Sequence, residues 1–157
     1  MGCLAGAVLV VPAAWSANGE AATTTQKSNP MGVTAKTGQI AAVVYGKTDP
    51  FVPSRSSITP RPGDHFVAVD VEVFNLASQP QSFSASASFK LVDSTNRSYG
   101  MAPIAGVGFD RDELHRMLPV SGAVRDNVVF EVPDAATGLR LRVIGGFGSW
   151  GVYFVLS

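Results

Sequence analysis

Apolar and polar residues alternate with a period of two along much of the chain beyond residue 33. The clearest case is the segment 65–75, which has a valine at every second position; these valines are Val67, Val69, Val71 and Val73. Successive side chains of a strand point to opposite faces of a sheet. The segment is therefore predicted to be a strand with one buried face and one face in water.

Five further segments are β-prone or alternate in the same way, at residues 39–45, 82–92, 123–132, 139–143 and 152–156. In residues 82–92 we expect one continuous strand whose apolar side carries Phe83, Ala85, Ala87, Phe89 and Leu91. Clusters of Pro, Gly, Asn and Asp separate the segments and indicate turns.

Short strands divided by turns predict an all-β fold, and we expect an immunoglobulin-like antiparallel β-sandwich of about seven or eight strands. Only residues 110–117 look helical, for one or two turns. A parallel α/β fold would need repeated helical segments of about 10–15 residues, and the sequence has none. The predicted core comprises Val67, Val69, Val71, Val73, Phe89, Leu91, Val128, Phe130, Val132, Leu139, Leu141 and Val155.

The N-terminal region differs from the rest in composition. Residues 3–17 are apolar, carry no charge and are too short for a comfortable membrane span, which needs about 20 apolar residues. We expect residues 1–22 to be a signal peptide or hydrophobic leader, 23–32 a flexible linker and 33–157 the sandwich domain. The basic start of a signal peptide is missing, which suggests that the natural leader begins upstream. A buried strand or helix of the domain is the alternative interpretation.

Cys3 is the only cysteine, and it precedes the apolar run. A disulfide within the domain is therefore excluded, as is a cysteine-rich zinc site. A lipid-modified cysteine normally follows the apolar run, so acylation of Cys3 is the weaker alternative to a plain hydrophobic residue. We expect a secreted or extracellular protein, possible membrane attachment being confined to the leader.

Charge narrows the choice of partners. The chain has 12 Lys and Arg against 12 Asp and Glu, so its formal net charge is zero. General nucleic-acid binders carry a basic surplus, and anionic lipid is bound by polybasic patches. Neither nucleic acid nor a membrane surface is therefore predicted as a partner of the domain.

An ordered set of motifs resembles a known family. Residues 62–93 read PGDHFVAVDVEVFNLASQPQSFSASASFKLVD, and Tyr99, Leu118-Pro119, Gly122 and the run VFEVP at 129–133 follow. The combination resembles the immunoglobulin-like domain of unknown function of Gram-positive secreted proteins and lipoproteins. That domain is similar in architecture to a mycobacterial secreted immunoprotective antigen. The resemblance implies an extracellular sandwich without established catalytic residues.

Metal binding is weighed at two places. Residues 110–115 hold three carboxylates and His115, but their spacing matches no calcium loop, and a solvated loop is the alternative. His65, Met101, His115 and Met117 could supply imidazole and thioether ligands for cuprous copper. An extracellular copper carrier is thus the alternative function, although we predict no metal site.

Catalysis finds no support in the motifs. There is no Gly-x-Ser-x-Gly elbow, and the glycine-rich residues 145–148 lack the Lys-Ser/Thr ending of a phosphate loop. We therefore predict no enzyme and no cofactor, and interpret residues 145–148 as a turn between the last two strands.

Two groups of residues are candidates for binding. Phe147 and Trp150 lie in the last turn, where they could stack on a sugar or a protein, or fold back to cap the core. Arg140 and Arg142 alternate with leucines and could form a basic strip for an acidic partner, or a solvated face. The sequence thus predicts an exported, non-catalytic binding or interaction module at the bacterial cell envelope, with an unknown protein or glycan as partner.

Overall fold

The described part of the chain is almost entirely β-structure. The computed structural model describes residues 27–102, 104, 107–109, 115–146 and 148–157. Its strands are β1 (Ser28–Asn29), β2 (Ala35–Thr37), β3 (Ile40–Phe51), β4 (Asp64–Asn75), β5 (Gln81–Ser84), β6 (Phe89–Val92), β7 (Ser98–Tyr99), β8 (His115–Leu118), β9 (Ala123–Pro133), β10 (Arg140–Val143) and β11 (Val152–Val155). A single helical turn, α1 (Ala85–Ser88), separates β5 from β6.

The strands form three sheets. Sheet A has the order β1-β11-β10-β6-β7, sheet B the order β2-β3-β4-β9, and β5 pairs with β8 alone. All pairings within these sheets are antiparallel except that of β1 with β11. The predicted all-β antiparallel sandwich is confirmed. Eleven strands are present among the described residues because β1, β2 and β7, of two or three residues each, add to eight longer ones.

The centre of sheet B is the strand that the valine alternation predicted. β4 pairs with β3 on one side and with β9 on the other, and its four inward valines are fully buried. Buried apolar residues of β9 lie opposite these valines, with Phe130 paired to Val67 and Val128 paired to Val69. Branched side chains at matched positions give this sheet a continuous apolar inner face.

The inner face of sheet A completes one main core. Phe89, Leu91, Leu141, Val143 and Phe154 are fully buried and belong to the same cluster as the β4 valines. Three rings pack edge-on or tilted at one end, with centroids 5.6 Å apart for Phe83 and Phe89 and 5.8 Å apart for Phe89 and Phe109. Such geometries are the favourable ones for aromatic pairs.

Eleven of the twelve predicted core residues are buried, and Val155 is not. Leu141 pairs with Phe154, so Phe154 faces inward and Val155 faces outward beside Arg140. The apolar run 152–156 contains valine or phenylalanine on both faces, so its composition alone leaves the phase of the alternation open. The cross-strand partner sets that phase.

The predicted continuous strand over residues 82–92 is interrupted. The helical turn α1 falls in its middle, and Ala87 is exposed rather than facing the core. A second expectation, helix over residues 110–117, is wrong where it can be checked: His115–Leu118 form β8, paired with β5. Residues 110–114 lie outside the described residues. Backbone pairing with β5 outweighs the local helical preference here.

Within the described residues, sheet pairing begins inside the segment 23–32, which we expected to be a linker. Ser28 and Asn29 pair with Tyr153 and Phe154 of β11, and the Asn29 amide donates to the Tyr153 carbonyl at 3.1 Å. The part of the chain before residue 27, which includes the predicted leader, lies outside the described residues. Within the described part, no helix is long and apolar enough to cross a membrane.

Sheet B is covered on its outer side as well. Phe66, Ala68 and Val129 point outward and form a second buried cluster with Ile104 from the segment that follows β7. Partly buried Phe51 and Ile58 pack against the same cluster. Because this cluster covers part of the outer face of sheet B, the outer face of sheet A is the more open of the two outer faces.

We predict that Leu141→Ala lowers the free energy of unfolding by about 2–5 kcal/mol, because it opens a cavity between the two sheets. Val52→Ala is the matched control, since Val52 is 80% exposed. Urea unfolding followed by tryptophan fluorescence and circular dichroism checks both variants. Equal stability of the two variants would contradict the packing described here.

Candidate functional site

Three cations and one aromatic ring gather on the outer face of sheet A. In the register of the sheet, Arg142 of β10 stands between Lys90 of β6 and Tyr153 of β11. Arg140 lies two residues along β10, so it points to the same side. We call Lys90, Arg140, Arg142 and Tyr153 the basic–aromatic strip.

Tyr153 connects the two arginines of the strip. The guanidinium carbon of Arg140 lies 5.3 Å from the centroid of the Tyr153 ring, and that of Arg142 lies 5.8 Å away. Both distances fall within the range of a cation–π contact. The ring thus holds two positive charges close together on one surface.

A turn on the other side of Arg140 fixes its direction. Nη2 of Arg140 donates to Oδ1 of Asn96 at 2.8 Å, and Asn96 has a left-handed backbone with φ 64. Asparagine tolerates this conformation better than most residues. The sequence Asp93-Ser94-Thr95-Asn96 is one of the Asn- and Asp-containing clusters that indicate turns, and it therefore also positions a side chain of the strip.

The carboxylate of Asp93 holds that turn in shape. Asp93 is 5% exposed, and its Oδ1 accepts from the Thr95 amide at 2.8 Å, the Thr95 hydroxyl at 2.7 Å and the Arg97 amide at 3.0 Å. Its Oδ2 accepts from the Tyr99 hydroxyl at 2.7 Å. The hydroxyl of Thr95, followed by that of Tyr99, lowers the pKa of Asp93 to about 2, against the opposing effect of burial.

We predict an acid-dependent loss of stability from this carboxylate. Because the pKa of Asp93 falls from an ordinary 3.8 to about 2 on folding, its contribution is present above pH 4 and is lost as the pH falls toward 2. Asp93→Asn should be less stable than the wild type at pH 6, and the gap should narrow toward pH 2. Chemical unfolding at several pH values checks this, and a gap that stays constant would contradict it.

Arg142 is held along the strand by a close approach to β11. Its Nε is buried and has no hydrogen-bond partner among the described residues. A Cβ atom at Gly151 would lie 2.7 Å from that nitrogen, so glycine makes the room in which the side chain lies. The terminal guanidinium nitrogens therefore carry whatever donors Arg142 offers to a ligand.

Two arginines outside sheet A are neutralised by carboxylates. Arg61 contacts Glu131 at 3.1 Å, and Arg125 contacts Asp70 at 2.7 Å in a two-pronged pair. Among the described residues, no carboxylate forms an ion pair with Lys90, Arg140 or Arg142. The positive charge of the strip is thus uncompensated within the described part of the domain.

Trp150 lies in the connection between β10 and β11, at one end of the sandwich. Its side chain is 89% exposed, so it does not cap the core. Its carbonyl accepts from the Thr37 hydroxyl at 2.6 Å, and Gly145 lies so close to Thr37 that a Cβ atom would reach the Thr37 carbonyl oxygen at 1.8 Å. The connection is thereby tied to sheet B. Phe147 lies outside the described residues.

A small pocket opens where the strip ends. It has a volume of about 290 Å³ and is lined by Ala87, Ser88, Ile144 and Gly146. The Ile144 amide donates to the Ser88 carbonyl at 2.8 Å, which continues the β10–β6 ladder for one residue beyond β10. The pocket therefore adjoins the strip on neighbouring strands.

Of the residues proposed from the sequence, the structure brings Arg140 and Arg142 together and places Trp150 at the adjoining end. Sequence reasoning missed Lys90, Tyr153 and the pocket. The alternation in residues 89–92 and 152–155 does place Lys90 and Tyr153 on the outward face of their strands, away from the inward-facing neighbours on either side. Only the pairing of β10 with both neighbouring strands shows that they share a surface with the arginines.

Three of the residues weighed for copper lie in different parts of the fold, His65 in β4, Met101 after β7 and Met117 in β8. His65 has Nε2 3.0 Å from Asp49 and Nδ1 3.0 Å from Asp134, so carboxylates engage both ring nitrogens. Met101 packs against the main core, whereas Met117 is 63% exposed on β8. In the described part of the chain, no three His, Cys, Asp or Glu residues are grouped as a metal site. Residues 110–114 and the side chain of His115 lie outside the described part.

The fold and this surface define a β-sandwich domain with an open, basic outer sheet face. The chain belongs to the family described as Domain of unknown function (DUF4352), whose model matches residues 30–151. This confirms the predicted relationship to a domain of unknown function. A search of curated protein sequences finds no match.

Solved structures of Gram-positive proteins share the fold. The yjhA protein of Bacillus subtilis aligns with a TM-score of 0.58 at 13% identity, over 82% of this chain and 98% of its own. The ycdA protein of Bacillus subtilis, described as a "putative lipoprotein", aligns with a TM-score of 0.55 at 14% identity, over 78% of this chain and 38% of its own. A functionally unknown protein of Listeria monocytogenes aligns with a TM-score of 0.50 at 12% identity, over 77% of this chain and 79% of its own. At these identities, the likeness concerns the fold alone.

Proposed function

We propose that this protein is an exported, non-catalytic binding module of the bacterial cell envelope that holds an acidic partner on the basic–aromatic strip. The observation that carries the proposal is the set of three cations without carboxylate partners among the described residues. They lie on an open sheet face, whereas Arg61 and Arg125 elsewhere are paired. The partner is a protein or glycan that carries carboxylates.

The chemistry of the strip suits carboxylates. A guanidinium presents several donors in a fixed plane and binds a carboxylate through two hydrogen bonds. Tyr153 and Asn96 restrain the arginines before a ligand arrives, which reduces the entropy lost on binding. Lys90 adds a third positive charge beside Arg142. The zero net charge of the whole chain argues against a nucleic acid as the partner.

Export and the immunoglobulin-like description belong to the same proposal. The apolar residues 3–17 support a leader, and the lipoprotein description of the ycdA protein supports a place in the envelope. The copper alternative is less favoured, since both nitrogens of His65 already face carboxylates. The absence of a nucleophile signature in the sequence supports a non-catalytic role.

We predict that the purified protein binds fluorescently labelled poly-L-glutamate and polygalacturonate at low ionic strength. The double variant Arg140→Gln/Arg142→Gln should weaken both interactions by about tenfold or more, because it removes two of the three cations that face the carboxylates. A tenfold loss of affinity corresponds to about 1.4 kcal/mol of binding free energy. Fluorescence anisotropy gives the affinities, and NMR shift changes should centre on Lys90 and Tyr153.

Arg125→Gln is the control, since it replaces an arginine by the same residue on the outer side of sheet B, removing one positive charge there. It should leave both affinities within twofold of the wild type. Unchanged binding by the double variant, or shift changes confined to sheet B, would overturn the proposed binding surface. Circular dichroism and thermal unfolding establish that each variant is folded.

We predict that residues 1–26 direct export in a bacterial host. Fused ahead of a periplasmic or secreted reporter, they should carry it out of the cytoplasm, and replacing Val8 and Val10 by Asp should abolish this, because charges disrupt the apolar centre of a signal peptide. Cell fractionation and N-terminal sequencing provide the measurement. The second arm adds a Lys-Lys extension before Met1, because signal peptides carry basic residues ahead of the apolar run. Retention of the reporter in the cytoplasm with and without the extension would contradict export.

A further inference from the structure

The outward positions of β10 and of Ile144, the residue that follows it, form a row with two different chemistries. Arg140, Arg142 and Ile144 occupy every second position, and the first two carry cations whereas the third lines the small apolar pocket. Neighbours on one face of a strand are roughly 6.6–6.8 Å apart, because each residue rises about 3.3–3.4 Å. Two cations and then the pocket therefore follow one another along this face at one regular interval.

The pocket is suited to a single apolar side chain. Its volume of about 290 Å³ lies just below the roughly 300–1,000 Å³ of small-molecule sites. The described residues that line it are Ala87, Ser88, Ile144 and Gly146. No charged residue is among those described as lining it, so it favours an apolar group over a carboxylate.

From this row we infer the class of ligand: an extended acidic peptide segment of the pattern acidic-x-acidic-x-apolar, read in either chain direction. The inference rests on the proposed function and names its partner. An extended peptide repeats its side chains on one face at the same interval as β10, so two carboxylates meet Arg140 and Arg142 while the apolar side chain enters the pocket. Lys90 lies beside Arg142 and strengthens the central contact.

The peptide lies across the face of sheet A rather than extending an edge. The edges of that sheet are β1 and β7, each of two residues, which offer few main-chain hydrogen bonds to an added strand. Selectivity therefore has to come from side chains, and the uncompensated cations and the apolar pocket supply it.

The probes are short fluorescein-labelled peptides, Ser-Glu-Ser-Glu-Ser-Leu-Ser and its reverse, tested by anisotropy against the purified full-length protein. Each has a partner in which serine replaces leucine, and another in which the two glutamates are adjacent. We expect one leucine peptide to bind about tenfold more tightly than its serine partner, since the pocket removes the apolar leucine side chain from water. The adjacent-glutamate peptide should bind more weakly as well.

Two variants separate the parts of the site. Arg142→Gln should weaken the leucine and serine peptides alike, by about tenfold. Ala87→Phe, at an exposed position of α1, should fill the pocket and remove the preference for leucine while leaving the serine peptide's affinity unchanged. Arg125→Gln should alter neither affinity.

The outcomes distinguish this inference from the proposed function. Equal affinity of the leucine and serine peptides, with poly-L-glutamate still bound through Arg140 and Arg142, would overturn the peptide pattern and leave the acidic-partner module standing. Tighter binding of polygalacturonate fragments of matched charge than of every peptide would overturn the peptide in favour of a glycan. Loss of all binding to acidic probes would overturn both.

Discussion

The two-residue period of a β-strand is the constraint on which the rest of this structure depends. In β10, burial of Leu141 and Val143 between the sheets leaves Arg140 and Arg142 only the outer face. A slip of the strand by one residue would exchange the two sets and bury two guanidinium groups. The desolvation penalty of several kcal/mol per ion excludes that arrangement. The core that stabilises the domain therefore also orients the candidate binding surface.

The neutral net charge of the chain conceals an uneven distribution of charge over its surface. On the outer side of sheet B, Arg125 is bound to Asp70 and lies over Tyr45, whose hydroxyl donates to Glu72. Such a network satisfies its own charges and has little left for a partner. On sheet A, Tyr153 supports the arginines without neutralising them. Whole-chain charge thus argues against a general nucleic-acid binder and still permits one local basic surface.

Much of the fold followed from the sequence, because residues that alternate strictly are buried strictly. The valines of β4 and the inward residues of β9 and β10 are where the pattern placed them. The pattern failed where apolar residues occupy both faces, as at Val155, or where one helical turn resets the alternation, as at Ala87. In both places the outcome depends on a partner strand that is distant in sequence, and a local pattern has no access to it.

The candidate site was predictable to the extent that it lies on one strand. Arg140 and Arg142 could be found from residues 139–143 alone. Lys90 and the support from Asn96 could not, because they reach the arginines across 52 and 44 positions of the chain. Tyr153 is only 11 positions from Arg142, but the register of the β10–β11 hairpin that places the two opposite each other is not visible in the local pattern. For Trp150 the sequence left two interpretations open, a binding residue and a cap on the core; its side chain is 89% exposed, and its carbonyl accepts from the Thr37 hydroxyl.

The most direct test of the account is the accessibility of successive positions along β10. Cys3 is the only native cysteine, so in a Cys3→Ser background each of the residues 140–143 can be replaced singly by cysteine. The rate of reaction with a thiol reagent is then measured on the folded protein. The account predicts fast labelling for Arg140→Cys and Arg142→Cys and strong protection for Leu141→Cys and Val143→Cys. Equal rates at all four positions, or the reverse order, would contradict it.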